Sequence, residues 1–168
     1  MEILNSTIAD IDKIFDLYRM AAQYMKERFP VHFPEFNRNM VIKEIEEARQ
    51  WKMLMDGELA CIWAITWSDP QIWEEKDADP SIYIHRITTV PVFRGRHLVK
   101  EIVQWAKQYA KEHGKVYVRL DTVGENQKLI QHYEESGFTF LGMVQLKDTR
   151  GLPDHYQLDK VSLFELKV

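Results

Sequence analysis

Ser81-Ile82-Tyr83-Ile84-His85-Arg86-Ile87-Thr88-Thr89-Val90-Pro91 begins the segment that governs this chain, and it continues through Arg94-Gly95-Arg96-His97-Leu98-Val99 to Gly114. Its β-branched and aromatic residues pack well on a pleated surface, so residues 81–90 read as a strand. Pro91 has no N–H for a ladder bond and ends the pairing. Beyond Arg94-Gly95-Arg96 the spacing turns helical. Leu98, Ile102, Trp105 and Tyr109 fall on one stripe with Val99, Val103, Ala106 and Ala110 beside it, while Lys100, Glu101, Gln104, Lys107, Gln108, Lys111 and Glu112 face away. Gly114 stops this helix after His113. A helix start offers unpaired backbone N–H groups and the positive end of the helix dipole, and this one carries two guanidinium groups, Arg94 and Arg96. That combination suits an anion, most naturally a phosphate or pyrophosphate.

The neighbouring segments fit around this unit. Residues 115–121 alternate as a strand, so strand, crossover helix and strand make a parallel βαβ unit. Upstream, residues 2–5 read as a short strand. Thr7 and Asp10 resemble a capping box, and Ile8, Ile11, Phe15, Tyr18, Ala22 and Met25 recur at helical spacing. Asn37 or Asn39 caps a second helix to about Gln50, and residues 51–55 and 58–67 are strands joined by Asp56-Gly57, a strong hairpin signal. Residues 68–80 read as a polar loop in which Asp69, Glu74, Glu75, Asp77 and Asp79 outnumber Lys76. It reads mainly as a solvated connection, with attraction of a cationic amine as the second option. Asn126 opens a helix ending near Ser136-Gly137, residues 138–146 form a strand, and a loop leads to a last strand at 161–167. The expected fold class is α/β of the mixed α+β kind: a central twisted mixed sheet of six or seven strands flanked by about four helices, all within one domain, 1–168.

At the turn, the sequence resembles the GNAT superfamily of acyl-coenzyme A-dependent N-acyltransferases. That family's pattern there is Arg or Gln, two free positions, Gly, one free position, then Gly or Ala. Arg94 fits, whereas His97 stands in place of Gly and Val99 in place of Gly or Ala. The site therefore reads as altered rather than absent. A second signature follows: Asn126, Tyr133 seven positions later, then Gly137-Phe138. The resemblance is tight over residues 83–142 and looser outside. It implies a GNAT-like fold, acetyl-CoA as co-substrate with no metal, and N-acetyltransferase activity on a primary amine of a small molecule or peptide.

The resemblance also implies roles. Backbone groups of Arg94, Gly95, Arg96, His97, Leu98 and Val99 would cradle the pyrophosphate, and those of Ile87, Thr88 and Thr89 would pair with pantetheine. Asn126 would hold pantetheine or cap its helix, and Tyr133 would donate a proton to the departing thiolate rather than serve only as a core aromatic. The attacking amine must be neutral, the oxyanion needs a donor and the thiolate benefits from a proton, so amine attack in a ternary complex requires no covalent enzyme intermediate. His85 is the first choice for a base, because imidazole titrates near neutral pH. His32, or Glu35 through a water, would serve as well. Cys61 reads as a small buried residue rather than a nucleophile.

Phe29, His32, Phe33 and Phe36 lie in an apolar, proline-broken segment, which in the family walls the acceptor site. With Trp67 they are the expected substrate contacts, set against an equal expectation that they plug the core. The alternative function is a non-catalytic CoA- or nucleotide-sensing module. A formal charge of −4 argues against nucleic acid as a partner. No apolar run reaches membrane-span length and the first residues lack signal-peptide character, so a cytoplasmic address is expected without a membrane partner. A single cysteine excludes an intrachain disulfide and fits a reducing compartment. A homodimer contact through residues 68–80 or an exposed strand edge stays open.

Overall fold

The computed structural model describes residues 1–28, 35–153, 156 and 160–168. Among them are seven strands, β1 (Glu2–Asn5), β2 (Gln50–Met55), β3 (Glu58–Thr66), β4 (Ser81–Thr89), β5 (Tyr117–Val123), β6 (Thr139–Gln145) and β7 (Lys160–Lys167). Five helices accompany them: α1 (Ile11–Arg28), α2 (Arg38–Glu46), α3 (Pro70–Trp73), α4 (Leu98–Glu112) and α5 (Gln127–Glu135). The strands form one mixed sheet in the order β1-β2-β3-β4-β5-β7-β6. The chain divides into two compact units, Met1–Ile65 with His85–Arg96, and Thr66–Ile84 with His97–Val168, so the division falls within β4.

In the first unit, β1, β2 and β3 run antiparallel, with Ile3 opposite Met53 and Trp51 opposite Trp63. The Asp56-Gly57 hairpin forms with φ of 52° and 81°, the positive values a two-residue turn of this kind needs. Residues 60–65 are buried without alternation, the mark of a strand covered on both faces. Ile11, Ile14, Leu17 and Tyr18 of α1 join Val41 of α2 and Ile62 of β3 in one apolar cluster. Asn37 caps α2, its side-chain oxygen accepting from the N–H groups of Asn39 (2.8 Å) and Met40 (3.2 Å).

In the second unit, β4 pairs in parallel with β5, and β5 and β6 flank β7 antiparallel. The buried stripe of α4 is Leu98, Ile102, Val103, Ala106 and Ala110. Trp105 and Tyr109, expected on that stripe, instead stack on one another at 5.1 Å along its half-buried edge.

Residues 68–80 depart from the expected polar loop. Asp69 precedes Pro70, which starts α3 with its ring preset for a first helical turn. Ile72 and Trp73 bury beside Tyr83, Val161 and Leu163, and a 3-10 turn follows over Glu74–Ala78. Two of its acids are engaged in structure: Asp77 accepts from the Ser68 hydroxyl and the Asp69 N–H, both at 2.7 Å. Asp79 takes the guanidinium of Arg119 at 2.7 Å, and Glu165 takes it at 2.6 Å. Arg119 is fully buried between the rings of Trp73 (4.8 Å) and Tyr117 (4.7 Å). Burial, and then the hydrogen bond to Asp77, push the neighbouring Tyr83 hydroxyl up to about 12.

Candidate active site

The turn after β4 is built from backbone geometry. A 3-10 turn, Pro91–Phe93, brings the N–H of Arg94 to the Pro91 carbonyl at 3.2 Å. Gly95 then adopts φ +77°, with open space where a Cβ would stand. The Arg94 guanidinium lies 4.1 Å from the ring centre of Tyr24, and that of Arg96 lies 5.2 Å from Phe93. His97 precedes α4 at φ 56°, ψ 32°, the left-handed conformation, and its carbonyl accepts the first helical bond from Lys100 N–H at 2.9 Å. Histidine tolerates this region better than most side chains. The residue standing where the family has glycine thus keeps a backbone conformation that glycine adopts readily. Val99 lies half-buried in the first turn of α4, where a side chain does not alter the direction of its amide. The N–H groups of Leu98 and Val99 precede that first bond and have no acceptor inside α4, which suits them to an anion, with Arg94 and Arg96 exposed.

The strand leading into this turn bends before it ends. Among the described residues, pairing of β4 with β5 covers Ser81, Ile82 and Tyr83, opposite Tyr117, Val118 and Arg119. Arg86 then takes φ +57°, uncommon for any side chain and more so within a strand. Past it, the Thr88 hydroxyl donates to the Arg86 carbonyl at 3.1 Å, Thr89 Oγ1 lies 3.5 Å from Cys61 Sγ, and Val90 N–H donates to the Ala60 carbonyl at 2.9 Å. Ile87, Thr88 and Thr89 are therefore held in the first unit, on the β3 side. Desolvation pushes the Cys61 thiol up to about 11, which leaves almost no thiolate at neutral pH and removes it as a nucleophile.

The second unit holds the other signature. Asn126 caps α5, its Oδ1 accepting from Leu129 N–H at 3.2 Å. Tyr133 is buried on α5 with its ring 5.1 Å from Phe164 and 5.9 Å, edge-on, from Phe138. Its neighbour His132 is depressed from the usual imidazole range by burial, opposed by Glu135 and reinforced by Lys100. Trp67 stacks on Tyr109 at 5.8 Å, with His113 at 5.3 Å and Lys115 over its face at 5.3 Å.

Of the expected acceptor contacts, Phe29, His32 and Phe33 lie outside the described residues. Phe36 packs 4.9 Å from Tyr18 in the core of the first unit. Among the expected bases, His85 is half-buried on β4 and Glu35 is exposed. One pairing escaped the sequence: Asp69 and Asp121 bring carboxylate oxygens within 4.8 Å of each other, and the Tyr156 hydroxyl donates to Asp121 at 2.8 Å. Three residues so far apart along the chain carry no local pattern.

Comparison with known proteins follows the same lines. A family model described as Acetyltransferase (GNAT) family matches residues 12–138. The uncharacterized N-acetyltransferase YesJ of Bacillus subtilis (strain 168) is 25% identical over 142 residues, which span 79% of this chain and 78% of that protein. Among solved structures, a GNAT-family acetyltransferase from Listeria monocytogenes 4b F2365 superposes with a TM-score of 0.78 at 24% identity, covering 99% of this chain and 94% of that one. The putative acetyltransferase yncA from Salmonella typhimurium, solved with its cofactor acetyl-CoA, superposes with a TM-score of 0.68 at 14% identity, covering 99% and 93%. With the mixed sheet, the paired motifs and a family match over most of its length, this chain belongs to the acetyltransferase (GNAT) family of acyltransferases.

Proposed function

We propose that this protein transfers an acetyl group from acetyl-CoA to a primary amine of a small molecule or peptide, by direct attack in a ternary complex. The observation that carries this is the pair of positive-φ residues, Gly95 and His97, immediately before a long helix whose first amides and flanking Arg94 and Arg96 suit a diphosphate. Acetyl-CoA would supply the activated thioester. Backbone N–H groups of Gly95, Arg96, His97, Leu98 and Val99, with the guanidinium of Arg94, would hold its pyrophosphate, and backbone groups of Ile87, Thr88 and Thr89 its pantetheine. Asn126 would orient the start of α5 through its cap. Tyr133 would place a phenolic proton at the departing sulfur, and His85 would relieve the amine of its proton. The partly buried carboxylates of Asp69 and Asp121 support a cationic acceptor, since opposite charge draws an ammonium toward them before it is neutralised.

Calorimetric titration with acetyl-CoA, followed by thiol release with a panel of polyamines, amino acids and aminoglycosides, tests this. Binding with thiol release is expected. Binding without release from any amine would favour a non-catalytic CoA-sensing module, and absence of binding would refute both. Tyr133→Phe should lower kcat about a hundredfold, the low side of what a positioned proton donor contributes. The acetyl-CoA-induced rise in Tm should stay nearly intact. An unchanged kcat would remove Tyr133 from the chemistry.

A further inference from the structure

Arg86 is the one described non-glycine residue inside a strand with positive φ other than at the ends, at +57° in a stretch of β-branched neighbours that favour straight, extended backbone. Such a conformation persists only where the surroundings over-determine it. They do so here through the side chain. The guanidinium makes an ion pair with Glu44 of α2, and both side chains are about nine-tenths buried, at 11% and 10% exposure. It also lies 4.9 Å from the ring centre of Phe36 and 5.7 Å from that of Tyr18 on α1. Arg49 approaches Glu44 from the other side, at 4.0 Å, and donates to the Ile65 carbonyl at 3.2 Å. Arg86 Nε is buried with no hydrogen-bond partner among the described residues, so the head group is fixed by Glu44 and the two rings. The consequence falls on the next three residues. Once the backbone turns at Arg86, the Thr88 hydroxyl closes on the Arg86 carbonyl and Val90 anchors to Ala60, which sets the direction of the amides at 87–89.

We propose that Arg86 is a positioning residue for acyl transfer: its pairing with Glu44 over Tyr18 and Phe36 holds the bend in β4 that aims the backbone of residues 87–89 at acetyl-CoA. This rests on the function proposed above. A buried pair is weak evidence for added stability, because desolvation offsets the attraction, whereas fixing one backbone arrangement is a role such pairs do fill. Glycine at this position separates the two roles, since it accepts φ +57° without strain but has no side chain to pin the bend.

The test is the acetyl-CoA dissociation constant of the parent, Arg86→Gly, Glu44→Gln and the double variant, with kcat and KM on samples that unfold cooperatively. We expect each single variant to weaken acetyl-CoA binding about tenfold, with KM for acetyl-CoA rising in step and kcat changing less. The double variant should bind no worse than Arg86→Gly alone, because both changes break one device. A variant that merely loosened the fold would lower Tm and leave KM alone. Glu44→Gln is close in shape to the parent and gives the same reading should Arg86→Gly fail to fold. If the parent binds acetyl-CoA and both foldable variants bind it equally well, the positioning role is overturned while the proposed function stands. If the parent does not bind acetyl-CoA, the proposed function falls and this role with it.

Discussion

Replacing His97 by glycine should stabilise the protein, although it deletes an entire side chain. His97 sits at φ 56°, ψ 32°, where an L-residue crowds its own carbonyl at a cost of roughly 1–2 kcal/mol. Glycine removes that strain but has more freedom to lose on folding, which returns about 0.5–1 kcal/mol. The net expectation is a gain of about 0.5–1 kcal/mol, or a rise in Tm of about 1–4 °C for a chain of this size. Gly95→Ala is the mirror experiment. Its φ is +77° and nothing lies within 4 Å of the added carbon, so backbone strain alone acts, and Tm should fall by a similar amount. Thermal unfolding followed by circular dichroism, with and without acetyl-CoA, reads both. His97→Gly should keep or enlarge the shift induced by acetyl-CoA, because its amide stays in place and the approach widens. A fall in Tm of several degrees would mean that the imidazole contributes more than its backbone costs. Loss of the acetyl-CoA shift would mean that the ligand contacts the ring and not the backbone.

Other expectations follow from the same geometry. Arg119→Met should cost about 3 kcal/mol, the low end for breaking a buried pair, because Asp79 is 49% exposed and Glu165 is 19% exposed. Tm should then drop by about 6–12 °C, and a drop under 2 °C would show that Trp73 and Tyr117 do not depend on the charge between them. Cys61, raised to about 11 and buried, should resist a thiol reagent at pH 8 in the native state and react on unfolding; prompt native labelling contradicts this. For His132, burial lowers the native titration below the ordinary 6.5, so the unfolded chain binds more protons as pH falls. The stability that neutral His132 contributes is complete above about 6.5 and declines below it. The parent should lose Tm relative to His132→Gln between pH 7 and pH 5, and a gap constant with pH refutes the assignment.

Local chemistry was legible in the sequence wherever a residue acts on its own neighbours. Asp56-Gly57 had to turn, Asn126 capped the helix it preceded, Asn37 was one of two asparagines placed to cap α2, and Pro91 ended β4. The motif pairing of Arg94 with Asn126, Tyr133 and Gly137-Phe138 pointed to the family that the comparison with known proteins establishes. Long-range determinants were hidden. Residues 68–80 read as solvated because their acids outnumber Lys76, yet Arg119, forty positions from Asp79, takes up that carboxylate. The bend at Arg86 was hidden too, since a stretch rich in isoleucine and threonine reads as an uninterrupted strand. The side chains that hold it, Glu44, Tyr18 and Phe36, come from distant segments. The stacking of Trp105 on Tyr109 is similar: helical spacing put both on the apolar stripe, and large flat rings fit its edge better than the tight packing around Ala106 and Ala110.

Amide hydrogen exchange with and without acetyl-CoA tests the central claim most directly. The amides of residues 95–99 should slow markedly when acetyl-CoA is bound, together with those of residues 87–89, because each becomes a donor or neighbour to the ligand. Binding of acetyl-CoA that leaves exchange at residues 95–99 unchanged would contradict the claim that this turn holds the diphosphate.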